Sequence, residues 1–219
     1  MNQSSKRKVS SGVYLIIDPA MNEALLLDKL ARCIKEKIAA VQIWDNFKDE
    51  QAVSALIHKI CEVCHAENIP VLINNRWELI NKSVLDGVHF DEIPNNYTEI
   101  RKSISRPYLS GLTCNNDLAL VSWASENKLD YISFCSIFPS DTANSCELVD
   151  FSTIHQASKS YSVPIFLAGG IKPENMNQLE GLRYTGVAVV SGIMSSDEPD
   201  VSIKKYIDKL NNNENRNNQ

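Results

Sequence analysis

Short apolar segments alternate with amphipathic ones along almost the whole chain. The apolar segments are rich in Val, Ile and Tyr, a composition typical of parallel strands that are covered on both faces. These candidate strands lie at Val13–Ile17, Ala40–Ile43, Val71–Ile73, Gly87–Phe90, Tyr108–Leu112, Tyr131–Phe134, Ile165–Ala168 and Val187–Val190. Eight strands that alternate with eight helices in 219 residues predict an α/β fold, a single-domain (β/α)8 TIM barrel, with a doubly wound open sheet as the alternative.

The amphipathic segments are predicted to be helices. They lie at Glu23–Lys37, Glu50–Asn68, Trp77–Lys82, Tyr97–Ser103, Asp117–Asn127, Ser152–Lys159, Pro173–Leu179 and Val201–Leu210. No shift in composition and no linker divides this alternation, so we predict one barrel domain over residues 11–210. Residues 1–10 are predicted to be a flexible N-terminus, and the polar tail 211–219 is predicted to be disordered.

Charge and composition restrict the kinds of partner. The net charge is −5 and the isoelectric point is near 5.4, whereas broad binding to nucleic acid or anionic membranes needs a basic surface. No apolar stretch reaches the roughly 20 residues of a membrane span, and the run VYLII is too short for the core of a signal peptide. We therefore predict a cytoplasmic protein without nucleic-acid or membrane partners. The sequence leaves the oligomeric state open, a homo-oligomer included.

Six cysteines in a chain without an export signal are predicted to be free thiols. Cys61 and Cys64 belong to the segment CEVCH, whose C-x-x-C-H form also occurs at haem attachment sites, and a pair of thiols can bind zinc. Covalent haem attachment requires export, and no second cysteine pair completes a zinc site. Because the surrounding apolar positions follow helical spacing, we predict that both cysteines lie on the buried face of a helix and bind neither group.

The segment VPIFLAGGIKPENM places Gly169 and Gly170 where a strand gives way to a helical segment. Glycines there free backbone N–H groups for an anion such as phosphate, but a tight turn without a ligand also fits them. In a barrel the loops after strands 7 and 8 are the usual phosphate site. This position favours phosphate binding, with Ser191 and Gly192 as the other wall. The replacement Gly170→Val is accordingly predicted to abolish binding and to leave the fold intact.

The strand ends, taken in order, resemble the thiamine-phosphate synthase and thiazole tautomerase family. The resemblance covers nearly the whole chain and is carried by the segments VYLIIDPA, AAVQIWDN, IPVLINNRWEL, DGVHF, SGLT, DYISFCSIFPSDT, PIFLAGGI and GVAVVSGI. The synthases of this family join hydroxymethylpyrimidine diphosphate to thiazole phosphate and release pyrophosphate. Mg²⁺ and cationic side chains hold the leaving group, where negative charge develops. The resemblance thus implies these two phosphate ligands as partners, and Mg²⁺ as the cofactor of an active enzyme.

The resemblance also implies roles for individual residues. Those matching the contacts to the pyrimidine and its diphosphate, and so catalytic, are Gln42, Asn74, Arg76 and Thr113, the last standing where the family usually has Ser. Those matching substrate-binding positions, mostly around the thiazole phosphate, are Asn75, Ser140, Thr142, Gly169, Gly170, Ser191, Gly192 and Ile193.

Several positions depart from the family pattern where charge is needed. The family typically has Leu-Arg-x-Lys where this chain has Ile43 to Asn46, so that Trp44 replaces the Arg. The metal-binding Asp residues align with Asn75 and near Pro94, and the loop Lys aligns with Ala143. The acid/base His of the tautomerase branch is replaced by Asn115. Carboxylates that could still bind a metal are Asp91, Glu92 and Asp141, and the remaining nearby cations are Lys48 and Lys172.

Each lost charge-assisted hydrogen bond costs about 1.5–3 kcal/mol. Three missing cations and two missing metal ligands therefore predict that synthase activity is weak or lost, while thiazole phosphate still binds. Two alternatives stay open from the sequence. One is a fully active divergent synthase with rearranged Mg²⁺ ligands, and the other is a non-catalytic barrel that binds a different phosphometabolite.

Overall fold

Eight parallel strands close into a barrel in the order in which they occur in the chain. The computed structural model describes residues 6–36, 38–48, 50, 52–139 and 147–217. The strands are β1 (Gly12–Ile17), β2 (Ile38–Ile43), β3 (Val71–Asn74), β4 (Gly87–Phe90), β5 (Leu109–Cys114), β6 (Tyr131–Phe134), β7 (Ile165–Ala168) and β8 (Gly186–Val189). Because β1 pairs with both β2 and β8, the predicted TIM barrel is confirmed and the open sheet is excluded.

Helices and short helical turns connect the strands. The α-helices are α1 (Glu23–Cys33), α2 (Val53–Ala66), α3 (Tyr97–Ser103), α4 (Leu118–Glu126), α5 (Phe151–Ser160), α6 (Ser191–Met194) and α7 (Pro199–Asn217). Two connections form 3₁₀ turns instead, at Trp77–Lys82 and Met176–Leu179. Among the helices of the described residues, none is both long and apolar enough to cross a membrane.

The structure describes residues near both ends of the chain, from Lys6 to Asn217. Helix α7 continues to Asn217, beyond the predicted end at Leu210. At the other end, residues 6–10 lie across the N-terminal ends of the strands. Lys6 forms an ion pair of 2.6 Å with Asp130, and Arg7 one of 2.8 Å with Asp86. These described residues of the segment 1–10 are therefore held against the barrel.

The core has two parts. The larger part lies between the strands and the surrounding helices. It includes Cys61 and Cys64, which are fully buried on α2 as predicted. Burial raises the pKa of the Cys61 thiol to about 12, which keeps it protonated at neutral pH. The smaller part fills the inside of the barrel, with Leu72, Leu109 and Phe166 among its members.

Candidate active site at the mouth of the barrel

A cavity of about 1060 Å³ opens at the C-terminal ends of the strands, and every strand contributes to its lining. Eight of the residues to which the sequence analysis gave a catalytic, substrate-binding or metal-binding role line it, namely Gln42, Asn74, Asp91, Thr113, Gly169, Gly170, Ser191 and Gly192. The others that the structure describes, Asn75, Arg76, Glu92 and Ile193, are outside the lining. Ser140 and Thr142 lie outside the described residues. The strand ends thus bring together most, but not all, of the predicted site.

The floor of the cavity is a connected row of polar side chains inside the barrel. The Gln42 amide donates to Asn74 Oδ1 at 3.0 Å, and the Tyr14 hydroxyl donates to Gln42 Oε1 at 2.9 Å. The Tyr14 and Tyr131 hydroxyls are 2.6 Å apart, and Tyr131 is 2.9 Å from His89 Nδ1. A contact of 2.8 Å then joins His89 Nε2 to Thr113, and one of 3.3 Å joins Thr113 to Ser133. These seven side chains are called the polar chain below.

One end of the polar chain has an unused donor. Asn74 is only 3% exposed, and its Nδ2 has no hydrogen-bond partner among the described residues. A buried amide N–H without a partner costs about 1–3 kcal/mol, and Asn74 lines the cavity. Asn74 therefore lies at the cavity, and its predicted contact role stays a prediction.

His89 lies in the middle of the polar chain and is neutral at physiological pH. Burial lowers the pKa of its imidazole to about 4, although the nearby Asp91 carboxylate acts in the opposite direction. A neutral imidazole donates from one ring nitrogen and accepts at the other, as its two contacts in the chain require. His89 was a strand-end residue without an assigned role in the sequence analysis.

This burial makes stability depend on pH. The unfolded chain takes up a proton on His89 near pH 6.5 and the folded chain only near pH 4, so stability is lost as pH falls through that interval. We expect this one residue to remove about 2–3 kcal/mol between pH 7 and 4.5. Urea unfolding of wild type and His89→Gln across this range measures it, and the variant should show a shallower slope.

The matched control is His58→Gln, which removes an exposed histidine of α2. Its slope should equal that of the wild type. A wild-type slope unchanged in His89→Gln would mean that His89 titrates normally in the folded protein.

Gly169 and Gly170 form the turn after β7 with φ angles of +87° and +65°. The turn is fixed by Asn175, whose side chain accepts from the Lys172 N–H at 2.8 Å and donates to the Gly170 carbonyl at 2.9 Å. Lys172 lines the cavity, and its ammonium group has no hydrogen-bond partner among the described residues. Within the described part of the lining, Lys172 is the only cationic side chain. It lies beside the predicted phosphate site.

The glycines of this region are also required by packing. A Cβ atom on Gly170 would lie 2.6 Å from the carbonyl oxygens of Phe138 and Pro139, and one on Gly169 would lie 2.1 Å from Ser136 Oγ. A Cβ atom on Gly192 would lie 2.1 Å from the hydroxyl of Tyr206. The prediction that Gly170→Val leaves the fold intact is therefore wrong, because the side chain would meet backbone atoms that cannot move away cheaply.

Arg76 does not face the cavity. Its guanidinium donates to both carboxylate oxygens of Glu50 at 2.9 and 2.8 Å, and it lies 3.5 Å from Glu78 and 3.9 Å from Asp45. The guanidinium also lies 5.5 Å from the ring centre of Phe47, within cation–π range. Its predicted catalytic role is therefore not supported by its position, since three carboxylates already compensate its charge.

The rim above β2, β3 and β4 is acidic. Burial raises the pKa of the Asp45 carboxyl group, and the positive charge of Arg76 lowers it. The nearby carboxylates of Glu50, Glu78 and Asp91 raise this pKa further. These groups are therefore close enough for their charges to interact. We call this side of the mouth the acidic pole, and the β7–β8 side, with Lys172 and the glycine turns, the phosphate pole. In a closed ring of eight strands, β3 lies opposite β7, so the two poles face each other.

The side-chain atoms at the acidic pole are not arranged as ligands for Mg²⁺, the cofactor implied by the resemblance. Asn75 Nδ2 donates to Asp91 Oδ2 at 2.8 Å, and Asn75 Oδ1 accepts the Asp91 backbone N–H at 3.0 Å. The pair thus presents an N–H group where a metal needs a second oxygen ligand. Among the described residues, no three His, Cys, Asp or Glu side chains come together as a metal site. The assignment of Asp91 and Glu92 to a metal gains no support here.

Comparisons with known proteins identify the family. A sequence model described as thiamine monophosphate synthase matches residues 13–193, most of the barrel. The chain belongs to this family. A thiamine-phosphate synthase of Nitrosococcus oceani is 28% identical over 173 residues, which cover 79% of this chain and 76% of that protein. Another, from Methanobrevibacter smithii, is 24% identical over 195 residues, 89% of this chain and 93% of that one.

Solved structures agree with the fold of the family. A thiamine phosphate pyrophosphorylase from Pyrococcus furiosus has a TM-score of 0.77 at 16% identity and covers 95% of this chain and 98% of its own. A geranylgeranylglyceryl phosphate synthase from Thermoplasma acidophilum, solved with sn-glycerol-1-phosphate, has a TM-score of 0.65 at 11% identity, with 92% of this chain and 93% of that one covered. At these identities the likeness establishes the barrel alone.

Three residues of the polar chain were not predicted from the sequence to belong to the site. Tyr14, Tyr131 and Ser133 lie within apolar strands and were counted only as strand residues. A signal for them exists, because a polar atom in a strand buried on both faces needs a partner inside the barrel. That signal does not identify the partner of each polar atom, because the partners belong to strands that are distant in sequence.

Proposed function

We propose that this thiamine-phosphate-synthase-like chain binds thiazole phosphate at the phosphate pole, and that its synthase activity is weak or lost. The observation that carries the proposal is the distribution of charge around the mouth. Lys172 and the turn at Gly169 and Gly170 support an anion on one side. On the other side, Arg76 is compensated by carboxylates and Trp44 faces the cavity in place of a cation.

A diphosphate is poorly supported at the acidic pole. By the family resemblance, the metal ligands and two of the three cations that hold the diphosphate follow strands 2, 3 and 4, and the third cation follows strand 6. In this chain the same rim carries Asp45, Glu50, Glu78 and Asp91, so a diphosphate there would meet like charges. A monophosphate at the opposite pole avoids this repulsion. We therefore expect the chain to bind thiazole phosphate while the release of pyrophosphate is weak or lost.

One observation favours the alternative of an active divergent synthase. Gln42 and Asn74 still line the floor, where the resemblance expects the pyrimidine. If the pyrimidine binds there, only the diphosphate and metal positions differ from the family. Turnover with both substrates separates this alternative from the proposal.

Lys172 provides the binding test. We expect Lys172→Gln to weaken thiazole phosphate binding by about 10- to 100-fold, because a charge-assisted contact contributes roughly 1.5–3 kcal/mol. Isothermal titration calorimetry with thiazole phosphate measures this. Lys205→Gln is the control, because it removes the same charge from an exposed position of α7 outside the lining.

The two variants together make the result clear. Wild-type affinity in Lys205→Gln and a large loss in Lys172→Gln would support the phosphate pole. Equal affinity in Lys172→Gln and wild type, or no binding of thiazole phosphate to the wild type, would refute the proposed site.

A further inference from the structure

A tyrosine of α7 lies behind the phosphate pole, between its two walls. Tyr206 is 1% exposed, and its hydroxyl donates to the Ile171 carbonyl at 3.1 Å. Ile171 directly follows the turn at Gly169 and Gly170, which forms the β7 wall of the pole. On the other side, the hydroxyl lies against Gly192 in α6, which forms the β8 wall, and a Cβ atom there would be 2.1 Å from it. One hydroxyl group therefore touches both walls.

The backbone that leaves the glycine turn is fixed at three consecutive residues. Asn175 binds the Gly170 carbonyl and the Lys172 N–H, and the Tyr206 hydroxyl binds the Ile171 carbonyl between them. Ile171 is 5% exposed, and a buried carbonyl that loses its donor is unfavourable. Removal of the hydroxyl should therefore turn this peptide group toward a new donor. That rotation would move the backbone of Lys172, the residue that carries the positive charge of the phosphate pole.

The β8 wall is held independently of Tyr206. Lys29 of α1 is only 7% exposed, and its ammonium group donates to the carbonyls of Met194 at 2.9 Å and Ser196 at 2.7 Å. These carbonyls lie at the C-terminal end of α6, where carbonyl groups lack partners inside the helix. Helix α6 should therefore keep its position when the Tyr206 hydroxyl is removed, whereas the β7 wall loses a contact.

We propose that Tyr206 is a positioning residue that lies against α6 and, through its hydrogen bond to Ile171, fixes the spacing between the two walls of the phosphate pole. Burial raises the pKa of the Tyr206 hydroxyl to about 12, so it keeps the proton that it donates at neutral pH. A phosphate group bound between two walls needs both at the correct spacing, and a protein that samples other spacings binds it more weakly. This inference rests on the proposed function, because it concerns how the pole is shaped for a phosphate group.

Binding of thiazole phosphate is the first test. We expect Tyr206→Phe to weaken binding by about 3- to 10-fold in isothermal titration calorimetry, the ratio that corresponds to one lost hydrogen bond. Tyr161→Phe is the matched control, because it removes the same atom from a half-buried tyrosine outside the cavity lining. Its affinity should equal that of the wild type. Equal affinity in Tyr206→Phe and wild type would overturn the inference.

A double variant separates the hydrogen bond from packing. Gly192→Ala alone should lower the melting temperature by roughly 3–10 °C, because its Cβ atom overlaps the Tyr206 hydroxyl. In Tyr206→Phe the nearest atoms to this Cβ atom, the ring Cζ and Val189 Cγ1, are 3.2 Å away, so the loss should be less than about half as large.

The double variant should thus regain stability but still bind thiazole phosphate weakly, because its methyl group fills the space of the hydroxyl and cannot donate to Ile171. Recovery of both stability and affinity would show that packing alone sets the spacing, and would contradict the role of the hydrogen bond.

Spectra of the ligand-free protein keep this result separate from the proposed function. In ¹H–¹⁵N correlation spectra without phosphate, Tyr206→Phe should shift the backbone amide signals of Gly170 and Lys172, and Tyr161→Phe should leave them in place. If these signals shift and the wild type does not bind thiazole phosphate, the proposed function fails and the positioning by Tyr206 is supported. Unchanged signals in Tyr206→Phe would refute the positioning role whatever the affinities.

Discussion

Purified protein given Mg²⁺, hydroxymethylpyrimidine diphosphate and thiazole phosphate is expected to form thiamine phosphate at well below about 0.1 s⁻¹, beneath the range of ordinary enzymes. The reason is electrostatic, since charge must be stabilised where it develops on the departing diphosphate. The acidic pole offers carboxylates there, and its Arg76 is held by Glu50. A rate of about 0.1 s⁻¹ or faster would refute the proposed loss of activity.

Restoring the missing groups should act cooperatively. Trp44→Arg, Asn75→Asp and Ala143→Lys are each expected to change turnover little, because metal and cations act together on one leaving group. The three combined should raise turnover more than the product of the single effects. The comparison needs all three single variants measured beside the triple variant. Additive single effects would contradict the idea that these positions form one unit.

Asn75→Asp has a second consequence that can be measured without substrate. Its carboxylate would replace the Nδ2 that now lies 2.8 Å from Asp91 Oδ2, so two negative oxygens would face each other. Without metal this pair should lower the melting temperature, and with Mg²⁺ the melting temperature should recover, since hard cations favour carboxylate ligands. In the control, Asn75→Asp with Asp91→Asn, the response to Mg²⁺ should disappear.

Gly170→Ala is expected to cost about 2–5 kcal/mol of the free energy of unfolding. Two penalties add, a left-handed φ of +65° and a Cβ atom 2.6 Å from two backbone carbonyl oxygens. Gly181 allows them to be separated, because it has a φ of +84° with nothing within 4 Å of an added Cβ atom. Gly181→Ala should therefore show only the backbone penalty, about 1–2 kcal/mol.

Urea unfolding of the two variants and wild type gives both numbers. If Gly170→Ala costs no more than Gly181→Ala, the loop that contains Phe138 and Pro139 yields easily and the glycine is not a packing requirement. In that case its replacement would again become a usable probe of phosphate binding. If the cost is large, binding defects at this position report damage to the loop.

The alternation of strands and helices was sufficient to predict the barrel, because a parallel strand buried on both faces has a recognisable composition. Sequence could not show that the connections at Trp77–Lys82 and Met176–Leu179 form 3₁₀ turns. An amphipathic pattern predicts a helical segment in both, but a segment this short can form either i→i+3 or i→i+4 hydrogen bonds, and the pattern does not distinguish them. In the short connections it was therefore easier to predict that a helical segment is present than to predict whether it is an α-helix or a 3₁₀ turn.

Residues whose place at the cavity follows from the position of a strand end could be predicted from the sequence. Residues whose place depends on a side-chain partner from a distant segment were harder to predict. Gly169, Gly170 and Ser191 lie where a barrel places its strand ends, and they line the cavity as predicted. Arg76 was predicted from its spacing after Asn74, and that spacing does not reveal that Glu50, on another loop, binds its guanidinium. Tyr14 was missed for the same reason, since its partner Tyr131 is far away in sequence.

The pairing of β1 with β8 also governs how the chain must fold as it is synthesised. One edge of β1 emerges from the ribosome early, yet its partner is made only when residues 186–189 have been added. Until then β1 and the most recently made strand both present unpaired N–H and C=O groups to other chains. Slow translation near the 3′ end of the message, or a premature stop before β8, should therefore favour aggregation over native protein.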